Sequence, residues 1–408
     1  MKRTLLVIGG SIETVPGIRT AKEMGLHVIC SDINPEAAGL KAADDRILVS
    51  SYDVNGTVAA ALNYHNVVRP IDAVICIATD VPFTVASVAN ALNLPGLSLE
   101  SAALSMNKLK MKDKLDSDQI PIPWYSKVLS HKHLTEIVFA RGFPLILKPV
   151  DSRGARGVLR LTEVVDLGWA FSVSKENSPS GEVIVEQYLS GPQVSTESIL
   201  IGGETYTLGL SDRNYEYLDR YAPYVVENGG ELPSFLPEET QQAIHGLIEK
   251  AAVSMGITDG VVKGDIVVHE DEPHVIELAA RLSGGYFCTH EIPLNTGVNF
   301  VEQAIKIALG EKIDPADLKP RFQKGVGQRY LFPEPGIVTS ISGVDEVRSR
   351  PEVALCELRV MVGDHIKPIK NHPGRAGVVI TTAETRDESV KLAVDAINSI
   401  KIETEKAV

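Results

Sequence analysis

Over the first hundred residues, short and wholly apolar runs alternate with longer amphipathic stretches. The run TLLVI at 4–8 predicts a buried strand, Gly9-Gly10-Ser11 a turn, and 13–24 a helix that Gly25 ends, with the next strand at 27–31. The same order recurs as a strand at 46–49, a helix at 54–64, a strand at 72–77 and a helix at 81–92. Strands apolar on both faces, separated by helices, predict a parallel, doubly wound α/β sheet.

The pattern changes near 97–103. A charged helix at 107–118 leads into the extended segment Ile120-Pro121-Ile122-Pro123. Strands at 145–149 and 158–161 flank a loop rich in glycine and arginine, and a strand at 182–188 precedes the turn at Gly191-Pro192. The polar stretch 212–233 has few regular signals and predicts a long loop. A helix at 238–255 follows, then strands at 261–269 and 274–278 around Asp271-Glu272, and a helix at 299–309 closed by Gly310. From about Phe322, short strands at 329–332, 355–360 and 377–381 and a helix at 386–400, with prolines at 333, 335, 351, 368 and 373, predict a small α+β part. The expected divisions are 1–103, 104–321 and 322–408.

With 408 residues, 44% of them apolar and 23% charged, the chain has the composition of a globular protein of two or three domains. Its formal charge of −13 would repel a phosphate backbone or an anionic bilayer, so small molecules rather than nucleic acid or membrane are the expected partners. Cys30, Cys76, Cys288 and Cys356 are widely spaced and form no zinc or disulfide pattern. No apolar segment reaches the length of a signal core or a membrane span, and a cytoplasmic location is expected.

The segment VVKGDIVVHEDEPHVIELAARLSGG places Asp265 and Glu277 on two strands of one hairpin, across from one another. Two such carboxylates suit Mg²⁺ that also binds nucleotide phosphates; ordinary surface acids on a solvated hairpin are the alternative. Glu277 interrupts an apolar strand, where an unpaired carboxylate is costly. Arg281, four residues on and just before Ser283-Gly284-Gly285, suits an activated acyl group held by guanidinium and backbone amides, or else a plain salt bridge. Lys148 ends the strand FPLILKPV before the loop 152–157, where Ser152, Arg153, Gly154 and Gly157 form a flexible turn able to close over phosphates. The turn lacks GxxxxGK[ST] and is not a P-loop. Lys108 sits in a helix with lysines at 110, 112 and 114, which read alone predicts a solvated face. Glu186-Gln187-Tyr188-Leu189 ends a strand where backbone groups could read an adenine edge and Glu186 could accept from its amino group; Gln193 follows the next turn. The loop 215–224, with Tyr215, Tyr217, Tyr221 and Tyr224, lines a substrate site or merely packs it. A dinucleotide oxidoreductase, suggested by Gly9-Gly10 and Asp32, is disfavoured because 9–14 read GGSIET rather than GxGxxG.

Taken together these segments resemble the ATP-grasp superfamily, specifically carboxylate-amine ligases similar to L-amino-acid ligases and to the biotin carboxylase and carbamoyl-phosphate synthetase groups. The match rests on Lys108 before Gln119-Ile120-Pro121, Lys148 before the loop 152–157, VEQYL at 185–189, and Asp265, Glu277 and Arg281 in order. The resemblance implies a pre-ATP-grasp domain at 1–103, two α+β subdomains clasping ATP at 104–321 with a lid at about 120–188, and a carboxy-terminal α+β subdomain at 322–408. It implies an ADP-forming ligase with Arg281 and Lys148 catalytic. ATP would be bound by Lys108, Lys148, Ser152, Arg153, Gly154, Gly157, Glu186, Gln187, Tyr188, Leu189 and Gln193. Mg²⁺, or Mn²⁺ in its place, would be held by Asp265 and Glu277, and the carboxylate and amine substrates would be small molecules. A homodimer is common among similar proteins. An enzyme acting on a phosphoribosyl or sugar amine and an inactive ATP-binding regulator stay open as alternatives. Ala279 stands where many relatives carry a metal-binding asparagine, and Lys263 where related ligases often carry histidine; the carboxylase branch has a catalytic glutamate shortly after the arginine, and Gly284-Gly285-Tyr286-Phe287 here argue against bicarbonate chemistry.

Overall fold

The structure, a computed structural model, describes residues 2–406. Its first sheet pairs strands β1 (Thr4–Ile8), β2 (His27–Asp32), β3 (Asp45–Leu48) and β4 (Ala73–Cys76) in the order β3-β2-β1-β4, all parallel. β1 and β4 are buried along their whole length, as the unbroken apolar runs require.

A second sheet, antiparallel in the order β5-β8-β6-β7, is built from β5 (Tyr125–Val128), β6 (Leu145–Pro149), β7 (Leu159–Leu161) and β8 (Val183–Gln187). Leu134, Leu147, Val183 and Val185 fill a small core of its own beneath it.

The remaining strands form one large antiparallel sheet and one small one. They begin with β9 (Gln193–Ile201), β10 (Glu204–Asn214), β11 (Gly229–Leu232), β12 (Gly260–His269), β13 (Glu272–Ala279) and β14 (Gly325–Tyr330). Beyond β14 come β15 (Gly336–Ser342), β16 (Val353–Leu358), β17 (His365–Ile366), β18 (Gly377–Ala383) and β19 (Lys401–Glu405). The order of the large sheet is β13-β12-β9-β10-β11-β14-β18-β16, while β17, β15 and β19 make a separate three-stranded sheet. The carboxy-terminal α+β part is thus joined by strand pairing to the strands before it: β14 pairs with β11 on one side and β18 on the other. One apolar core runs from Leu5 and Val7 through Phe287 and Phe300 to Val378, tying the first sheet to the largest.

Two expectations change. The stretch 212–233 is not one long loop: β10 reaches Asn214 and β11 returns at Gly229, with Asp212 opposite Glu231, so only 215–228 is irregular. The central strand β9 escapes the alternation signal because Thr196, Glu197 and Ser198 are all fully buried, so polar residues occupy inward positions. No helix among the described residues is long and apolar enough to cross a membrane.

Candidate active site

Where the three sheets meet lies a cleft of about 1250 Å³. Of the residues singled out from sequence, Lys108, Lys148, Ser152, Arg153, Gly154, Glu186, Gln187, Tyr188, Leu189, Gln193, Asp265, Glu277 and Arg281 all line it. Gly157 does not. It lies behind the wall with a left-handed φ of +72°, where a Cβ would come within 2.8 Å of Asn177 and 2.9 Å of Pro149, so the structure gives it a packing role.

Asn107 caps the helix Lys108–Ser117 by accepting the Lys110 amide, which fixes Lys108 at its first turn. The Lys108 ammonium donates to the Ser152 carbonyl at 2.8 Å and pairs with Glu277 at 3.0 Å. Burial alone would lower its pKa, but Glu277 and Asp80 outweigh burial and raise it. Four residues on, Lys112 occupies the same face and is only 1% exposed. The expected solvated face therefore holds only for Lys110 and Lys114. Lys112 is a residue that the sequence reading missed, although its spacing of four from Lys108 was the available signal.

Ile146 on β6 pairs with Glu186 on β8, which sets Lys148 diagonally across from that carboxylate. The Glu186 carboxylate is 2.7 Å from the Lys148 ammonium and 3.3 Å from that of Lys112. Burial would raise the Glu186 pKa, but the two lysines lower it; burial outweighs Glu186 at Lys112, whose pKa falls to about 8. A carboxylate buried between two ammoniums is committed to them, so the expected side-chain contact from Glu186 to adenine is not supported by this geometry. The Lys112 ammonium has Glu186 as its one close partner and no well-aligned hydrogen bond, so its donors are less fully satisfied than those of Lys108.

Asp265 and Glu277 are direct cross-strand partners, followed by a bulge between Asp265 and Ile266. Asp265 also receives the Ser195 hydroxyl at 3.0 Å and pairs with Arg213 at 2.9 Å and with Lys263. Burial pushes its pKa up, yet Arg213 and Lys263 hold it well below the ordinary carboxylate range. Arg213 in turn pairs with Glu227 at 2.5 Å. No cluster of three or more metal-ligating side chains exists among the described residues. Two facing carboxylates are a donor set that Mg²⁺ accepts when phosphate oxygens and water complete its shell, and here it would take over from the cations that now pair them, Lys108 at Glu277 and Arg213 and Lys263 at Asp265.

Arg281 leaves the end of β13 and pairs with Asp80, from the loop after β4, at 3.1 Å. Two of the backbone amides beside it are already taken: Ser283 N donates to Glu197 at 2.9 Å and Gly285 N to Glu13 at 2.7 Å. The turn needs glycine, since a Cβ on Gly284 would sit 2.9 Å from Glu13 and Gly285 has φ +67°. Glu13 is held by Arg359 at 2.6 Å. Asp80, Glu13, Arg213, Glu227 and Arg359 carry no local sequence signal, because each reaches the cleft from a different part of the chain.

Residues 105–285 match the ATP-grasp domain, and residues 329–405 match L-amino acid ligase C-terminal domain 2. The chain is 25% identical over 392 residues to an uncharacterized protein of Sinorhizobium fredii, covering 94% of this chain and 79% of that one. It is 23% identical over 317 residues to the carbamoyl phosphate synthase large chain of Caldanaerobacter subterraneus, which spans 75% of this chain but 28% of the relative. The crystal structure of L-amino acid ligase from Bacillus licheniformis has the same fold, with a TM-score of 0.83, 22% identity and 99% of both chains covered.

Proposed function

We propose that this chain, an ATP-grasp protein whose carboxy-terminal domain is of the kind found in L-amino acid ligases, is an ADP-forming ligase that joins a carboxylate to an amine. The observation that carries the reading is the convergence of Lys108 and Lys148, the latter sharing Glu186 with the buried Lys112, on a cleft that also holds the cross-strand pair Asp265 and Glu277 and the Arg281 guanidinium. The first group suits the phosphates of ATP, the second Mg²⁺ (or Mn²⁺), and the third the anionic acyl phosphate. When bound, MgATP supplies the phosphoryl group that activates the carboxylate.

The chain's own residues orient and shield that reaction. Lys108 and Lys148 neutralise phosphate oxygens from two sides, and Arg281, kept in place by Asp80, faces the same space. The loop 152–157 covers the cleft and keeps water from the activated group. The segment 187–189 offers its backbone to the base.

The experiment is a screen for ADP and phosphate release with MgATP. Donors are the twenty proteinogenic amino acids, acceptors are the same set plus amino sugars, and mass spectrometry identifies products. A ligase gives ADP only when a carboxylate is present, with an amide of matching mass. ADP release indifferent to every carboxylate and amine would sink the reading, and a product on an amino sugar alone would favour the sugar-amine variant.

A further inference from the structure

Glu291 is a buried carboxyl in the wall of the cleft that the reading above leaves unused. It closes the π-turn Phe287–Glu291, directly after the glycine turn that follows Arg281, and its amide donates to the Tyr286 carbonyl. Only 2% of it is exposed, and among the described residues it makes no ion pair. Its neighbours differ: Glu227 is held by Arg213, and Glu197 accepts the Ser283 amide.

The opposite wall is shaped around the free carboxyl. A Cβ on Gly230 would lie 3.2 Å from Glu291 Oε2 and 2.7 Å from Ser211 Oγ, so the glycine keeps its approach clear. Gly230, Ser211, Phe287, Glu227 and Gln328 border the cleft with it. The charged groups bearing on Glu291 are both carboxylates, Glu227 from the segment before β11 and Glu197 from β9. A buried, unpaired carboxyl flanked by like charge is unfavourable in the empty protein and becomes favourable when a cation enters. Lys108 and Lys148 are engaged with Glu277 and Glu186, while the guanidiniums nearest Glu227 are taken up by it, Arg213 by its carboxylate and Arg375 by its carbonyl.

We propose that Glu291 receives the acceptor amine as its ammonium ion and takes a proton from it before the amine attacks the acyl phosphate. The inference rests on the ligase reading and adds the group that prepares the nucleophile. The ammonium gives one proton to the Glu291 carboxylate. The nitrogen lone pair then forms the C–N bond, the C–O bond to phosphorus breaks with its electrons on the departing phosphate, and a second proton leaves nitrogen for that phosphate. Burial, then Glu227 and Glu197, push the Glu291 pKa well above the ordinary carboxylate value, so the empty site favours the protonated acid; the incoming ammonium offsets that push, the acid's proton passes to solvent as the ion pair forms, and the carboxylate so paired is a strong proton acceptor.

Hydroxylamine separates the two halves, because it is uncharged at neutral pH and attacks an acyl phosphate without a base. With the amino-acid pair most active in the screen, amide and hydroxamate are measured in competition. Glu291→Gln should lower the ratio of amide to hydroxamate by about 100-fold, the low end of what a positioned base contributes. Glu291→Asp, which keeps a carboxylate one carbon shorter, should lower it less. An unchanged ratio in the Gln variant, or in the Asp variant should Gln fail to fold, overturns the role of Glu291. Absence of hydroxamate from the unaltered protein with every donor overturns the ligase reading and this inference with it.

Discussion

Glu186 is a single buried carboxylate between two buried ammoniums, and its stability depends on all three remaining in balance. Neutralising it leaves Lys112 and Lys148 facing each other without a counterion, and breaking a buried ion pair in this way costs about 3 kcal/mol. Glu186→Gln should therefore lower the urea unfolding free energy by that amount. Inorganic tripolyphosphate, which can stand in for the missing negative charge, should recover more stability in the variant than it adds to the unaltered protein. Equal gains in the two would remove the lysines from the phosphate site. Glu197 offers a test by pH. Burial raises its pKa from 4.5 to about 7, against the smaller opposing pull of the Ser283 hydrogen bonds. Between those values the native protein holds a proton that the unfolded chain has released, so stability falls as pH rises through the window and levels off above it. Glu197→Gln carries no such proton. Its stability relative to the unaltered protein should improve between pH 5 and pH 8, by about 3 kcal/mol at most, in paired urea titrations. A difference that stays flat over that range would place the carboxylate's titration elsewhere.

At the scale of elements, the loop 152–157 between β6 and β7 is held at both ends of the cleft. The Arg153 guanidinium stacks 4.0 Å over the Tyr52 ring and donates to the Asp80 carbonyl at 3.2 Å, both on the first sheet's side. On the other side the Gly154 carbonyl accepts the His372 amide at 3.1 Å, and Gly154 abuts Pro373. Tyr52 is half exposed, so its stacking is worth about 0.7 kcal/mol. Tyr52→Ala should raise the rate of trypsin cleavage after Arg153 or Arg156 about threefold, if opening is fast relative to cleavage. Unchanged nicking would mean that the tyrosine does not hold the loop. The elements also divide by legibility. Asp265 faces Glu277 only because a bulge after Asp265 shifts by one residue the register that the hairpin turn sets, whereas β1 and β4, buried on both faces, announce themselves as apolar runs. β9 and β10 do not, because serine, threonine and glutamate fill inward positions and the period-two signal fades.

At the scale of the whole molecule, the cleft is made by pairing distant strands. β11 and β14 pair although more than ninety residues separate them in sequence, and this brings Gln328 and Tyr330 to the cleft wall with Glu277 and Arg281. The single ion pair of Glu13 with Arg359 links the first turn of the chain to its last quarter, and both flank the glycine turn at 284–285. One core shared by these parts makes such long-range contacts affordable, since their ordering is already fixed by apolar burial.

The sequence by itself determined what local chemistry specifies: the parallel first sheet, a lysine near the end of the strand before the glycine loop, and the two acids of one hairpin with the arginine four residues on. Each depends on residues close in sequence, where period, cap and turn fix geometry. Only the tertiary structure decided which groups are already engaged. It bound Glu186 to two lysines, spent the Ser283 and Gly285 amides on Glu197 and Glu13, turned Lys112 inward, and left Glu291 without a partner. Charge compensation in a buried site acts through space rather than along the chain, so partners drawn from several sheets leave no pattern in the sequence.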